Sequence, residues 1–308
     1  MARLSDLCKA REILQDTQEG YSDQSDVQLL GQLDAISSHA NFRSPDIDIL
    51  SSIMSDKRDT VSQIFDDLRS RMDRWIDEWQ PSCESHNAAW ISELMRFTWE
   101  EWCEWRDIAY APNPALDEFV AARISENINW QSPSLIYKSI NPALVTDCLG
   151  SYPIYLVSKY KQSFDEIREM FHISQVRKLR FYDNDRTSQL PQDAIGLMVS
   201  VNHFTHASER HIQRDLMMLS NLLMPGGILM FNINDCDYSK CARFFEQGAR
   251  SYVRGKHVDG MIEEAGLIVT KKEYLSDPSS LWIEVRKPGT RTSIKKAEAL
   301  GRIMEKGK

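Results

Sequence analysis

Three side chains with hydrogen-bonding and acid–base chemistry follow one of the most apolar segments of the chain. Residues 194–201 form that segment, and Asn202, His203 and His206 come after it. A histidine titrates near neutral pH, so His203 or His206 is suited to take a proton from a bound substrate. The same residue types also cap the ends of strands and helices, and the sequence favours the two roles about equally. We therefore carry all three forward as candidate catalytic residues.

Histidine and cysteine side chains in this part of the chain also raise the question of a zinc site. His203, His206 and His211 follow one apolar segment, and Cys236 and Cys241 follow the next. The spacings His-x2-His and Cys-x4-Cys are not those of tight zinc sites. We therefore expect no metal here.

The elements that must position these side chains alternate between strand and helix from residue 131 onward. Apolar runs rich in strand formers predict strands, and apolar residues three or four apart predict helices. Strands are predicted at residues 143–146, 153–157, 178–182, 194–201, 228–231, 267–270 and 281–285, and helices at 163–171, 209–224 and 257–265. The alternation predicts a doubly wound α/β sheet whose last two strands form a hairpin-like pair.

The first 130 residues have another composition and predict an all-α helical N-terminal region. Seven of the eight tryptophans lie at or before Trp130. Helices are predicted at residues 4–17, 25–39 and 46–55 and in a helical hairpin at 61–109. The predicted domains are thus residues 1–130, residues 131–289 and a basic C-terminal tail at 290–308.

The helical hairpin is predicted from one apolar stripe and one proline. Apolar residues from Val61 to Trp79 stand three and four apart, and Pro81 is expected to end that helix. A turn at residues 82–87 and a second helix at 88–109 complete the hairpin. Its tryptophans at 99, 102 and 105 form either an aromatic recognition cage or a packing surface, and packing is favoured. We expect the hairpin to bind a protein partner or a second copy of the chain.

Charge is distributed unevenly along the chain, whose net charge is −8. Residues 1–130 hold 12 basic and 25 acidic residues, whereas the stretch from Arg286 to the end holds 8 basic and 2 acidic ones. An acidic half does not neutralise phosphates, so we expect no nucleic acid to bind there. A charged terminus is most often simply solvated.

Six scattered cysteines and a charged start predict a cytoplasmic protein with reduced thiols. No run of about 18 apolar residues is present, so the sequence predicts no membrane span.

One passage of the second half has a specific resemblance to a known family. Residues 222–231, Leu-Leu-Met-Pro-Gly-Gly-Ile-Leu-Met-Phe, resemble the helix–PGG–strand passage of class I S-adenosylmethionine-dependent methyltransferases. Residues 190–193 and 201–204 resemble the family's fourth strand and the loop that faces its acceptor, and residues 264–289 resemble its last two strands. The resemblance covers residues 140–289 and implies a Rossmann-like fold. More narrowly, residues 146–159 and 282–289 are similar to methyltransferase-like proteins of tailed bacteriophages.

The resemblance implies a site for S-adenosylmethionine at the carboxyl ends of the first three strands. In the family a glycine-rich first loop approaches the methionine moiety, an acid after the second strand holds the ribose, and an Asp or Asn after the third meets the adenine. The positions that match in this chain are Asp147, Gly150, Ser158, Asp183 and Asp185. Asn202, His203 and His206 would then face the acceptor.

The chain departs from the family's pattern in its first two strands. The first loop has one glycine where the family has two or three, and Ser158 stands where an acid is expected. Only ten residues separate Asp147 from Ser158, so either the first helix is lost or the first strand lies earlier in the chain.

Two functions follow from this pattern. The first is an S-adenosylmethionine-dependent methyltransferase of unknown acceptor. The second is a methyltransferase-like interaction or structural protein without the cofactor, as in a phage, with the acidic helices as its docking element.

Overall fold

A computed structural model describes residues 3–20, 58–94, 96–103, 114–275 and 280–289. The chain forms two compact units, one of residues 1–90 with 234–254 and the other of residues 91–233 with 255–308. The domain boundaries proposed from the sequence remain predictions. The predicted helices at 25–39 and 46–55, the hairpin's residues 104–109 and the tail at 290–308 lie outside the described residues.

Nine α-helices have both ends within the described ranges. They are α1 (Leu4–Gly20), α2 (Arg58–Leu94), α3 (Pro114–Asn127), α4 (Pro142–Asp147), α5 (Gln162–Met170), α6 (Ile173–Val176), α7 (Glu209–Leu222), α8 (Ser239–Glu246) and α9 (Gly255–Glu264). Short 3-10 turns at Cys148–Gly150, Asn184–Gln189 and Phe204–His206 join some of them to strands. No helix in the described ranges is long and apolar enough to cross a membrane.

The second unit is built on a seven-stranded sheet. Its strands are β1 (Ser134–Tyr137), β2 (Ile154–Ser158), β3 (Leu179–Asp183), β4 (Ile195–Ser200), β5 (Leu223–Ile233), β6 (Ile268–Leu275) and β7 (Ser280–Arg286). The strand order is β3-β2-β1-β4-β5-β7-β6, and β7 runs antiparallel to both of its neighbours while β1 to β5 are parallel. This is the predicted doubly wound, Rossmann-like sheet, preceded in the chain by helices, and the predicted pairing of the last two strands is confirmed.

Pro225-Gly226-Gly227 lies near the start of β5, where the pairing with β4 shifts register. Gly226 has a φ of +82°, which a side chain rarely tolerates. A Cβ on Gly227 would stand 2.8 Å from the Ile195 carbonyl oxygen of β4. The helix ends at Leu222, and strand β5 already begins at Leu223, earlier than predicted.

The predicted first strand is wrong. Residues 143–146 lie in helix α4, and β1 is the run Ser134–Tyr137. Asn141 caps the helix by accepting the Leu144 N–H, and Pro142 occupies its first turn. This Asn-Pro pair is a helix-start signal that outweighs the strand-like composition of the residues that follow it. The alternative that the first strand lies earlier is therefore the correct one.

The predicted hairpin is also wrong, because its turn at 82–87 is helical and the chain leaves the helical conformation at 96–98, inside the predicted second helix. Helix α2 runs without interruption from Arg58 to Leu94 and contains Pro81. Buried positions continue in phase past the proline, at Cys83 and Asn87, and Asn87 donates a hydrogen bond to the Tyr252 carbonyl. Continued burial of one stripe offsets the roughly 3 kcal/mol cost of an interior proline. A new helical stretch at 99–103 starts at Thr98, which exchanges capping bonds with Glu101.

The first unit joins α1 to α8 by reciprocal capping. The Glu12 carboxylate accepts the Ser239 N–H at 2.6 Å and its hydroxyl at 3.0 Å, at the start of α8. The Glu246 carboxylate, at the end of α8, accepts the Ser5 N–H at 3.0 Å and its hydroxyl at 2.6 Å, at the start of α1. Each helix thus satisfies free N–H groups of the other.

We expect Glu12→Ala to lower the free energy of unfolding of this unit by about 1–2 kcal/mol, since it removes a helix cap. Urea unfolding followed by circular dichroism measures the change. Asp16→Ala, at an exposed position of the same helix, is the control and should change stability by less than about 0.5 kcal/mol. Equal effects of the two substitutions would contradict the capping role.

Helix α3 is anchored to the sheet by one carboxylate. Glu284 of β7 is 3% exposed and accepts hydrogen bonds from Arg123 Nε at 2.5 Å and Nη2 at 2.6 Å. It also accepts the Trp282 indole N–H at 3.0 Å. The Phe119 and Trp282 rings meet edge to face beside it, with centroids 5.4 Å apart.

Candidate functional site

The carboxyl ends of the five parallel strands β1 to β5 form one edge of the sheet, which we call the carboxyl edge. Ligands of open α/β sheets bind at this edge, near the point where the strand order reverses. Here that point lies between β1 and β4. The candidate site is therefore built from the residues that follow these strands.

A buried ion cluster occupies the reversal point. The Asp215 carboxylate, 3% exposed on α7, accepts a hydrogen bond from Lys138 Nζ at 2.9 Å, and its same oxygen lies 3.2 Å from His203 Nε2. Arg214 approaches the other oxygen at 3.3 Å from a largely exposed position. The Tyr137 ring, at the end of β1, lies beside the cluster, with its centroid 4.7 Å from Lys138 Nζ. One carboxylate thus links the loop after β1, the loop after β4 and helix α7.

The cluster fixes the charge of its members. Burial alone would raise the pKa of Asp215, but the bonds from His203 and Lys138 outweigh it and hold that pKa well below its usual range. Burial and the Lys138 charge lower the pKa of His203 to about 4, although the bond to Asp215 opposes this shift. Burial likewise lowers the pKa of Lys138. At neutral pH, Asp215 is ionised and His203 is neutral.

Asn202 has a structural partner. Its backbone N–H donates to Asn232 Oδ1 at 2.6 Å, and Asn232 Nδ2 donates back to Asn202 Oδ1 at 2.9 Å. Asn202 has a φ of +64°, which asparagine accepts more readily than most residues. This reciprocal pair holds the turn that presents His203. His206 lies in the following 3-10 turn and is buried.

The end of β2 carries Ser158, as predicted, and its hydroxyl is engaged. Ser158 Oγ accepts the Tyr160 N–H at 3.0 Å and lies 3.0 Å from Ser163 Oγ in helix α5. Tyr160 contacts the rings of Trp99 and Trp102, with centroids 5.5 and 5.7 Å apart. The favoured interpretation of these two tryptophans as packing residues agrees with this contact.

The end of β3 carries Asp183, and Asp185 follows in the next 3-10 turn. Lys161 Nζ lies 3.6 Å from Asp183 Oδ2, both side chains having access to solvent. These two carboxylates stand where the resemblance places the adenine contact.

Asp147 and Gly150 do not lie in the loop after the first strand, contrary to the prediction. Asp147 is the last residue of α4, and Gly150 ends the 3-10 turn that leads into β2. Both therefore precede a parallel strand and lie toward its amino end. The loop after β1 is residues 138–141, Lys-Ser-Ile-Asn.

These positions test whether the site fits S-adenosylmethionine in the family's manner. The loop after β1 contains no glycine, and Lys138 has a φ of +57°, where glycine is the easy residue. The Lys138 side chain is tied to Asp215, and β2 ends in Ser158, whose hydroxyl accepts a hydrogen bond from Ser163 of helix α5. Only the carboxylates after β3 match, so the residues do not fit the cofactor as the family holds it.

Lys138, Tyr137 and Asp215 are site residues that the sequence prediction missed. One signal was present for Asp215, which lies three residues after Ile212 and four before Leu219, on the apolar stripe of its helix. An acidic side chain on the apolar face of a helix is buried, so it needs hydrogen-bond donors or a positive charge beside it. Lys138 was missed because the first strand was placed too late.

Among the residues that the structure describes, no group of three or more His, Cys, Asp or Glu side chains could hold a metal ion.

No protein-family model and no curated protein matches the chain. Solved structures do resemble it at low identity. An S-adenosylmethionine-dependent methyltransferase from Clostridium acetobutylicum is 11% identical, with a TM-score of 0.48 over 62% of this chain and 99% of that one. One from Mesorhizobium loti is 9% identical, with a TM-score of 0.43 over 54% and 96%. A geranyl diphosphate methyltransferase in complex with SAM is 7% identical, with a TM-score of 0.46 over 56% and 84%. At this level of likeness they do not bear on activity.

Proposed function

We propose that this chain is a methyltransferase-fold protein that acts by binding a partner, without S-adenosylmethionine held in the family's way. The observation that carries the proposal is Lys138. It stands at positive φ in the loop after β1, and Asp215 fixes its side chain. An ion cluster of the protein's own residues thus links the strands at the point where the family's glycine loop would meet the cofactor.

The acidic helices supply the docking surface in this proposal. On the described part of α2, the exposed positions include Asp66, Asp67, Glu78, Glu84 and Glu93. No large apolar side chain is exposed there. A surface of this kind favours a basic protein partner over a second copy of itself, because like charges repel. The narrower resemblance to phage proteins remains a prediction.

Calorimetric titration of the full chain with S-adenosylmethionine and S-adenosylhomocysteine tests the proposal. We expect no binding heat up to millimolar ligand, because both the glycine loop and the ribose acid are missing. Saturable binding at micromolar concentration would overturn the proposal.

A second candidate function is the S-adenosylmethionine-dependent methyltransferase of unknown acceptor. The observation in its favour is the pair Asp183 and Asp185 after β3, with Asn202 and His203 after β4. If the titration shows binding, Asp183→Ala should abolish it. The control is Asp193→Ala, an exposed aspartate that precedes β4 at the other edge of the sheet.

A further inference from the structure

We infer that His203 presents its Nδ1 nitrogen as a fixed hydrogen-bond acceptor at the carboxyl edge, and that Asp215 is the positioning residue that sets this tautomer. The site would take a ligand that donates a hydrogen bond, such as a hydroxyl or amide group. The inference goes beyond partner binding by the helices and needs no cofactor.

The tautomer follows from the geometry of one oxygen. Asp215 Oδ2 lies 3.2 Å from His203 Nε2 and 2.9 Å from Lys138 Nζ. An ionised carboxylate has no proton to donate. The hydrogen atom of a neutral imidazole must therefore sit on Nε2, and the lone pair is on Nδ1.

The ring is held in place and remains accessible. Its centroid lies 5.6 Å from that of Tyr137 and 5.0 Å from that of Phe204. The His203 side chain is 22% exposed. Among the described residues, its hydrogen-bond partner is Asp215. The other charged or titratable groups of this environment are Lys138, Tyr137, Arg214 and His211.

The chemistry of the ring sets the class of ligand. Burial and the Lys138 charge lower the pKa of His203 to about 4. At pH 7 the imidazole is then neutral in all but about one molecule in a thousand, and it is a weak base compared with one whose pKa lies near 7. It is matched to accepting a hydrogen bond from an uncharged donor rather than to removing a proton from it.

Nitrogen-15 NMR of the full chain with labelled histidine tests the assignment. The His203 signal is identified by its loss in His203→Gln. We expect the Nε2–H form to exceed the Nδ1–H form by more than about tenfold between pH 6 and 8, since a hydrogen bond to a charged group is strong enough for that ratio.

Two substitutions separate positioning from mere packing. Asp215→Asn keeps an oxygen that can accept from both His203 and Lys138, so it should retain the Nε2–H form. Asp215→Leu leaves the Lys138 ammonium as the polar group nearest to Nε2. Because an ammonium only donates, Nε2 must accept and the proton should move to Nδ1.

A wild-type ring protonated on Nδ1 would overturn the inference. So would an unchanged tautomer in Asp215→Leu, or loss of the Nε2–H form in Asp215→Asn. If Asp215→Leu does not fold, the wild-type protein and Asp215→Asn still decide the question.

Discussion

A Glu284→Ala substitution is expected to lower the free energy of unfolding by about 3 kcal/mol, the lower end of the range for breaking a buried ion pair. Glu284 is 3% exposed and accepts two bonds from Arg123 and one from Trp282. Its removal leaves the indole N–H without its acceptor and leaves Arg123 with only the exposed Glu126 as a partner. The cost stays at the lower end because the Arg123 side chain, 19% exposed, keeps access to water.

Glu126→Ala is the matched control, because Glu126 pairs with the same arginine from a position that is 58% exposed. It should cost at most about 1 kcal/mol. Urea unfolding of both variants measures the difference, and equal losses would show that burial of Glu284 contributes nothing.

The pH dependence of stability gives a second check on Glu284. Burial would raise its pKa, but the bonds from Arg123 and Trp282 outweigh that effect and lower it. A carboxylate whose pKa is lower in the folded than in the unfolded protein makes its full contribution to folding stability above its unfolded pKa, which is about 4.3. The contribution is then lost as the pH falls through the folded pKa. Between pH 6 and 3, the wild-type protein should therefore lose more stability than Glu284→Ala.

The sequence predicted the middle of the sheet well for physical reasons. Strand β4 is apolar, and the Pro-Gly-Gly sequence places a glycine where the backbone has a positive φ that other residues rarely adopt. Strand β1 has only four residues, all buried, so its composition carries no alternation to distinguish it from its surroundings. The helix-start pair Asn141-Pro142 was the local signal that would have placed it.

The grouping of the chain into compact units was not predictable from local pattern. Residues 234–254 follow β5 but belong to the unit of the N-terminal helices. The bonds that hold them there, such as that from Ser239 to Glu12, join residues 227 positions apart. The spacing of apolar residues predicts local structure and gives no information about contacts between residues so distant in the sequence.

The candidate site was predicted only in part for the same reason. Asn202, His203, Ser158 and Asp183 were located by their place after strands, and the structure keeps them at the carboxyl edge. Their chemistry depends on partners distant in the sequence. The lowering of the His203 pKa, for example, comes from burial and the Lys138 charge and is opposed by the bond to Asp215.

The ion cluster predicts that a double substitution costs less stability than one of its single substitutions. Asp215→Leu should lower the free energy of unfolding by about 3–5 kcal/mol, because Lys138, only 15% exposed, loses its carboxylate partner. Lys138→Met combined with Asp215→Leu should restore much of that loss, since no unpaired charge stays buried. Arg214→Met, at a position 64% exposed, is the control and should cost at most about 1 kcal/mol. Urea unfolding of the variants measures the coupling between Lys138 and Asp215. If the double variant is as unstable as the sum of its single variants, the lysine is not held by the aspartate.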